Sequence, residues 1–519
     1  MDFRRVALIS GPLLFLIIAF MPAPDGMPYA AQFTAGITLW IAVWWVTEPV
    51  NTAVTSLLPL VLFPLTGVMP LKAISGEYGN EIIFLFMAGF FIGKTIEKWN
   101  LHRRIALGMV AWMGTNPAMM VLGFMVASAF ISMWMSNTAT AVMMTPVAIA
   151  VGSNMTSSNP HAANFNKALL LGVGYACSIG GLATIIGTPT NAIFLAFAQK
   201  NFEQAVTFWQ WFLLGFPIAT ALLLLCWLIL VRMFPLPKKL DEGTHSRQAI
   251  LDDLAALGPV SIPEKRLMFV FGAVVLSWIT GSLLWYKWIP NCNDTVVAIC
   301  GALILFTMPA GTSSDKNLPK GHSATNDQAL SNETSSVKAT AAKQRTTNNE
   351  QRTTNNNQQL LDWKTAVTIP WGIILLFGGG LALAKGFDSS GLAVWLGEQL
   401  KSLSSLPHVL ILVSVLVVVV LLSEVASNIA TASMMMPVLA ALALSIGAHP
   451  FGLCLSATLA ASVGFGLPVA TAPNAIVYAS GYLTTRDMAR AGFLLDAIAI
   501  AVMLVFIYLL LPVVWGLNV

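Results

Sequence analysis

Residues 135–146 read MSNTATAVMMTP, and residues 426–437 read ASNIATASMMMP. Each is an uncharged polar cluster inside a long apolar stretch. Asn and Ser disfavour continued helix because they hydrogen-bond to nearby backbone. In hydrocarbon, backbone that leaves the helix is tolerated only where protein encloses it or a watery cavity wets it. A chain with two such interruptions must bring them into its interior.

The rest of the sequence sets the medium. The chain is 56% hydrophobic and only 10% charged, with a mean hydropathy of +0.75, against about 25% charged in soluble domains. Apolar stretches of roughly 20 residues cross a bilayer as helices. Candidate spans lie near 6–20, 31–48, 52–68, 82–98, 168–198, 209–233, 267–286, 295–310, 371–398, 452–483 and 489–515. The fold class is therefore all-α polytopic membrane protein, with about 11 transmembrane helices. The N-terminal MDFRRVALISGPLLFLIIAF has the basic flank and apolar core of a signal peptide, but with so many spans behind it, it reads as a first transmembrane helix. Cys177, Cys226, Cys292, Cys300 and Cys454 are scattered and read as packing thiols rather than metal ligands or disulfides.

The two polar clusters belong to a duplication. At an offset of 291, ten of the fifteen positions from Ser136 to Ala150 are identical to Ser427–Ala441. Ser132 matches Ser423, and upstream Phe86, Gly89, Lys94 and Leu101 match Phe377, Gly380, Lys385 and Leu392. A second pair follows, GTPTNAI at 187–193 and ATAPNAI at 470–476, at an offset of 283.

Lys and Arg favour cytoplasmic loops. If the two apolar stretches at 117–150 and 408–447 are re-entrant hairpins and the N-terminus is cytoplasmic, most basic residues fall inside, including Arg103, Arg104, Arg232, Lys238, Lys239, Lys265 and Arg266. Making both stretches ordinary crossings puts the basic 232–266 loop outside. The charge bias thus favours two hairpins entering from opposite sides, which makes the duplication an inverted repeat, a transporter signature with the site at the repeat interface.

The expected organisation is a first helix in 1–30 and a first repeat over 31–234, with a hairpin at 117–150 and a broken helix at 168–198. A cytoplasmic amphipathic linker follows at 235–266, with Ile250, Leu251, Leu254 and Leu257 at helical spacing. The second repeat covers 267–519, with a hairpin at 408–447 and a broken helix at 452–483. It contains a polar insert at 311–362, in which QRTTNN occurs twice, expected to be a disordered cytoplasmic loop. The N-terminus is placed in the cytoplasm, the C-terminus outside, and the protein in a plasma (inner) membrane.

Lys, Arg and His are absent from 117–150, 168–198, 409–447 and 452–485. An anion bound there meets only helix N-termini, backbone N–H groups and Ser, Thr and Asn side chains. Bound Na⁺ would supply the missing positive charge, and carbonyls freed at helix breaks, with Ser and Asn oxygens, are hard ligands suited to it. The ion would then make the anion site.

This pattern resembles the divalent anion/sodium symporter family, over nearly the whole chain apart from 311–362. The resemblance rests on the paired Ser-Asn-Thr-type tips, each followed by a Thr-Pro-type helix break. It implies a first Na⁺ site at Ser132, Ser136, Asn137 and Gly187, and a second at Ser423, Ala426, Asn428 and Ala470. Substrate carboxylates would be met by Ser136, Asn137, Thr138, Ser427, Asn428, Thr188 and Thr471, with Pro189 and Pro473 completing the set. The family also implies scaffold and transport domains, an elevator-type movement and a homodimer in the bilayer. Two departures stand out: Ile429 replaces a hydroxyl in the second triplet, and Ala472 stands where some relatives have Pro.

The expected function is Na⁺-coupled symport of C4-dicarboxylates such as succinate, malate or fumarate, with Na⁺ as coupling ion, no other cofactor and no nucleic-acid partner. The alternatives are sulfate or citrate transport, dicarboxylate exchange and, more weakly, a membrane sensor using 311–362. No enzyme reading stands, because no nucleophile–base or metal constellation is visible, and no Walker A sequence points to ATP. Isolated Ser, Thr and Gly in membrane helices mostly pack helices; their phase-matched duplication is what favours a site. Glu424, with Met133 as its counterpart, reads as a structural hydrogen-bonding group.

Overall fold

The computed structural model describes residues 3–112, 116–153, 162–202, 205–237, 246–289, 291–311 and 358–517. These residues are almost wholly α-helical. In chain order the helices are α1 Phe3–Phe20, α2 Tyr29–Thr47, α3 Thr52–Thr55, α4 Leu58–Leu65, α5 Leu71–Ser75, α6 Glu81–Lys98, α7 Leu101–Trp112, α8 Pro117–Ser132, α9 Asn137–Ser153, α10 Ala162–Gly181, α11 Pro189–Asn201 and α12 Phe208–Met233. They continue with α13 Ser246–Ala256, α14 Ile262–Thr280, α15 Asp294–Thr307, α16 Trp363–Ala366, α17 Trp371–Ser390, α18 Leu392–Leu400, α19 His408–Val425, α20 Asn428–Ser445, α21 Pro450–Ala461, α22 Ala472–Tyr478 and α23 Thr485–Trp515. Eight segments among the described residues are long and apolar enough to cross a membrane.

The duplicated sequence carries duplicated packing. In the first copy α10 packs on α8, α9 and α12; in the second α21 packs on α19, α20 and α23. The copies then cross over: α9 and α10 touch α22, while α20 and α21 touch α11. Each polar cluster is thereby seated against the broken helix of the other copy. The helix ends repeat as well. Asn100, between α6 and α7, has φ 55°, and Gly391, between α17 and α18, has φ 78°; these positions are 291 residues apart. The left-handed conformation turns the chain at both places. The span expected over 371–398 is therefore two helices.

Small residues allow the closest approaches. A Cβ at Gly180 of α10 would lie 2.2 Å from the Ala129 carbonyl oxygen of α8, and one at Gly492 of α23 would lie 2.0 Å from the Phe465 carbonyl oxygen. These are the small-residue contacts that replace the hydrophobic effect as the packing force between membrane helices.

The linker expected at 235–266 contains α13, which lies against α7 and α9 with Leu254 and Leu257 packed on the main apolar core. The polar insert expected over 311–362 is structured at its C-terminal end, contrary to the expectation for those residues. The Ala310 N–H donates to the Gln358 carbonyl (2.7 Å) and the Leu360 N–H to Met308 (2.9 Å). Leu360 and Leu361 are fully buried. Two leucines at the end of a polar run can bury apolar area where the preceding residues cannot. Asp362 caps α16 and pairs with Lys98 of α6 at 2.5 Å. Burial pushes its carboxyl upward, but the Lys98 and Thr365 hydrogen bonds outweigh this and hold it below the usual carboxylate range. Residues 312–357 lie outside the described residues.

Gly180→Ala should lower the melting temperature of the detergent-solubilised protein, because overpacking a close contact costs about 1–3 kcal/mol. Gly272→Ala, in α14 with nothing near its Cβ, should leave it unchanged or raise it. Differential scanning fluorimetry of the pair checks this; equal melting temperatures would remove the close approach of α8 and α10 as a determinant of packing.

Candidate functional site

The two hairpin turns have the same local chemistry. Ser132 Oγ, at the end of α8, lies 2.6 Å from Asn137 Oδ1 and 2.7 Å from the Cys177 carbonyl oxygen of α10. Ser423 Oγ, near the end of α19, lies 2.8 Å from Asn428 Oδ1 and 2.7 Å from the Ala461 carbonyl oxygen of α21. A hydroxyl has one hydrogen and cannot satisfy both acceptors at once. Each turn is thus an oxygen-rich corner tied to a broken helix. Rotating the Asn137 amide puts its nitrogen 2.6 Å from Ser132 Oγ, 3.2 Å from the Cys177 oxygen and 3.3 Å from the Gly187 oxygen. That orientation satisfies the cluster with N–H groups; the opposite one presents a fourth oxygen to it.

The breaks themselves are built alike. α10 stops at Gly181 and α11 starts at Pro189; α21 stops at Ala461 and α22 starts at Ala472, followed by Pro473. Proline is tolerated in a helix's first turn because it lacks an N–H that would be unpaired there. The intervening loops are held by an asparagine apiece. Asn191 Nδ2 donates to the Gly181 and Thr184 carbonyls at 3.1 and 2.8 Å. Asn474 Nδ2 donates to the Gly464 and Leu467 carbonyls at 3.0 and 3.1 Å. All six residues correspond at the offset of 283. The Oδ1 atoms of both asparagines are buried without a hydrogen-bond partner. Gly187 is required by the tightness of the first loop, since a Cβ there would lie 2.5 Å from the Gly181 carbonyl oxygen.

The helix starts at Asn137, Pro189, Asn428 and Ala472 share this region through the contacts of α9 with α22 and of α11 with α20. Thr190 of α11 and Ser462 after α21 join the two breaks directly, oxygen to oxygen at 2.5 Å. The dipoles of these helix starts favour negative charge without a cationic side chain, while the Ala139 and Asn474 N–H groups are taken by Ser136 and Thr471.

The expected ligands divide as follows. Ser132, Asn137 and Gly187 are gathered in the first corner, and Ser423 and Asn428 in the second, where the Ser423 and Ala470 neighbourhoods meet at Gly464. Ser136 accepts the Ala139 N–H at 3.2 Å; Ala426 ends α19 and donates its N–H to Leu422. Ser427 precedes α20 without a side-chain cap bond. Thr188 and Thr471 are buried at the breaks, Pro473 is buried and Pro189 half-buried. The Thr471 hydroxyl accepts the Asn474 N–H at 3.2 Å, so it is partly used as a cap. Thr138 is exposed. Ile429 packs against both apolar clusters of the protein.

A cavity of about 50 Å³ opens onto the first turn, lined by Phe86, Gly89, Lys94, Glu97, Trp134 and Ser136 among others. It has room for a water or two. Lys94 and Glu97 close its wall as an ion pair at 2.7 Å.

The Cys177 and Ala461 carbonyls, and the clamps Asn191 and Asn474, were not among the expected site residues. Carbonyls carry no side-chain signal. The asparagines did carry one, since Asn follows the break-forming residues in both GTPTNAI and ATAPNAI. No group of three or more His, Cys, Asp or Glu among the described residues is placed to hold a metal ion.

Asn191→Ala and Asn474→Ala should each raise the Na⁺ concentration for half-maximal uptake about tenfold or more, since each removes two hydrogen bonds worth about 1 kcal/mol apiece. Uptake against Na⁺ in proteoliposomes reads this; wild-type Na⁺ dependence in both variants would mean that the loops hold their shape without the clamps.

The sequence model described as "Sodium:sulfate symporter transmembrane region" matches residues 4–516. The chain is 37% identical to the sodium-dependent dicarboxylate transporter SdcS of Staphylococcus aureus, in strains bovine RF122 / ET3-1 and MSSA476 alike, over 99% of this chain and 93% of the relative. Among solved structures it is similar in fold to Neisseria gonorrhoeae MtrF, of a class of antimetabolite efflux pumps, with a TM-score of 0.55 at 11% identity over 96% of both chains. It is also similar to the Alcanivorax borkumensis YdaH transporter, with a TM-score of 0.52 at 12% identity over 100% of this chain and 98% of that one. With a family match across essentially its whole length, this chain belongs to the sodium:sulfate symporter family, the divalent anion/sodium symporters, and is a membrane transporter rather than an enzyme.

Proposed function

We propose that the protein takes up C4-dicarboxylates such as succinate, malate or fumarate by symport with Na⁺. The observation that carries this is the pair of matched oxygen corners, Ser132–Asn137 and Ser423–Asn428, each tied to a helix break. The relatives' name, sodium-dependent dicarboxylate transporter, supports the substrate class.

Each corner takes one Na⁺. Ser132, Ser136, Asn137 and Gly187, with the Cys177 carbonyl, surround the first; Ser423, Ala426, Asn428 and Ala470, with the Ala461 carbonyl, surround the second. Loading turns the Asn137 amide oxygen toward the ion. The amide hydrogens then face the anion, together with Ser136, Ser427, Thr188, Thr471 and the helix starts at Pro189 and Pro473. Two cations balance the two carboxylates, so neither ligand is well bound alone. Thr138, being exposed, meets the substrate only in its final approach.

The two hairpins and two broken helices move as a transport domain against the remaining scaffold, which forms a homodimer in the plasma membrane. The N-terminus and the first hairpin face the cytoplasm, so the cavity beside Ser136 is the cytoplasmic end of the path.

Labelled succinate uptake into proteoliposomes under an inward Na⁺ gradient, against a matched K⁺ gradient, tests the function. We expect uptake only with Na⁺, and none from Asn137→Ala or Asn428→Ala although both remain folded dimers. Uptake indifferent to Na⁺ but dependent on internal succinate would make the protein an exchanger. Ile429→Thr should shift preference among dicarboxylates, tricarboxylates and sulfate in a competition panel; an unchanged panel would show that residue 429 does not face the ligand.

A further inference from the structure

The second cation corner has a support that the first lacks. Glu424, one residue after Ser423, is 3% exposed, and Asp496, in the middle of α23, is 4% exposed. Glu424 Oε1 accepts the Gly466 N–H at 2.7 Å and Oε2 the Leu467 N–H at 2.8 Å. Asp496 Oδ1 accepts the Phe465 N–H at 3.2 Å. Three consecutive backbone donors of the loop between α21 and α22 are therefore held by two acids, while Asn474 holds carbonyls of the same loop from the other side.

The loop is seated on α23 by design of that helix's face. Gly492 precedes Asp496 by four residues and so lies on the same face, and a Cβ there would lie 2.0 Å from the Phe465 oxygen and 2.5 Å from the Gly466 Cα. Glycine lets the loop in and the aspartate ties it down. The first copy has Met133 in place of Glu424 and Ala219 in place of Asp496, with Gly215, whose Cβ would lie 2.4 Å from the Leu182 oxygen, in the place of Gly492. There the equivalent contact runs the other way, the Thr184 hydroxyl donating to the Met133 carbonyl at 2.5 Å.

Asp496 Oδ2 is buried without a hydrogen-bond partner, and Asp496 and Glu424 bind neighbouring N–H groups of the same loop. Tyr175 lies near the pair; its hydroxyl is 3.2 Å from the Met488 oxygen and its ring packs on Phe465.

We infer that Asp496, on the same face of α23 as Gly492 and holding the loop alongside Glu424, is a positioning residue for the second cation site. It accepts the Phe465 N–H while Glu424 accepts those of Gly466 and Leu467, and together they fix residues 465–467, next to Gly464, where the Ser423 and Ala470 surroundings meet. The inference rests on the function proposed above and adds that the two cation sites are held by different means. An asparagine at 496 can still accept the Phe465 N–H; a leucine cannot.

Succinate uptake against Na⁺ concentration in proteoliposomes, with wild type, Asp496→Asn, Asp496→Leu and Glu424→Gln, tests it. Wild type should show a Na⁺ Hill slope near two. Asp496→Asn should stay within about twofold of wild type in half-saturating Na⁺. Asp496→Leu should raise that concentration about tenfold or more, and its slope should fall toward one, as the first site alone remains coupled. A general loss of packing would lower maximal uptake without changing the slope. If Asp496→Leu does not fold, Glu424→Gln decides, because its amide nitrogen must face one of two backbone donors; the same rise and loss of slope are expected. Wild-type Na⁺ dependence in the foldable variants among these two would overturn the inference, as would an Asp496→Asn protein impaired as much as Asp496→Leu. Absence of Na⁺ dependence in wild type would instead overturn the proposed function.

Discussion

Backbone that leaves the helix inside a membrane must have each polar group satisfied by protein, and this chain does so four times in one place. Two hairpin turns and two helix breaks pair off across an internal repeat, α9 against α22 and α20 against α11. The asparagine clamps at 191 and 474 take up carbonyls of the breaks, and the serines at 132 and 423 tie turn to break. What remains is a gathering of oxygens at each corner beside the helix starts. Oxygens suit a cation and helix starts an anion, and the proposed coupled site rests on that division.

Neutral ligands explain why coupling is needed. A fixed Lys or Arg would hold a dianion without help, but would also cost several kcal/mol to bury when the substrate leaves. Mobile Na⁺ gives the same charge compensation and departs with the substrate. The copies are nevertheless not interchangeable. Ile429 contributes apolar surface to both core clusters where Thr138 is exposed, and the second loop hangs from two acids where the first hangs from a hydroxyl.

Much of this was legible in the sequence because duplication filters out packing noise. Ser132 and Asn137 recur in phase with Ser423 and Asn428, and each serine lies beside its asparagine. Gly187 showed its constraint in GTPT, and the charge-free segments located the core. Other features left weaker signals or none. The Cys177 and Ala461 carbonyls act through backbone, which residue identity does not encode. Asn100 and Gly391, which turn the chain after α6 and α17, differ in identity and share only φ. Asp496 is the one acid beyond the first turn of a 31-residue apolar helix, which is a functional signal in a membrane. It has no partner in the other copy and so escaped a comparison built on repetition. The ordered Leu360–Leu361 end of the polar insert was hidden by the composition of its neighbours.

The central claim is that bound Na⁺ creates the dicarboxylate site. Equilibrium binding of succinate to the purified wild-type protein, repeated across Na⁺ concentrations at constant ionic strength, tests it most directly. Linkage makes the slope of log affinity against log Na⁺ equal to the number of ions taken up with the substrate. The account predicts a slope approaching two and negligible binding in K⁺; a slope of zero, with undiminished binding in K⁺, would contradict it.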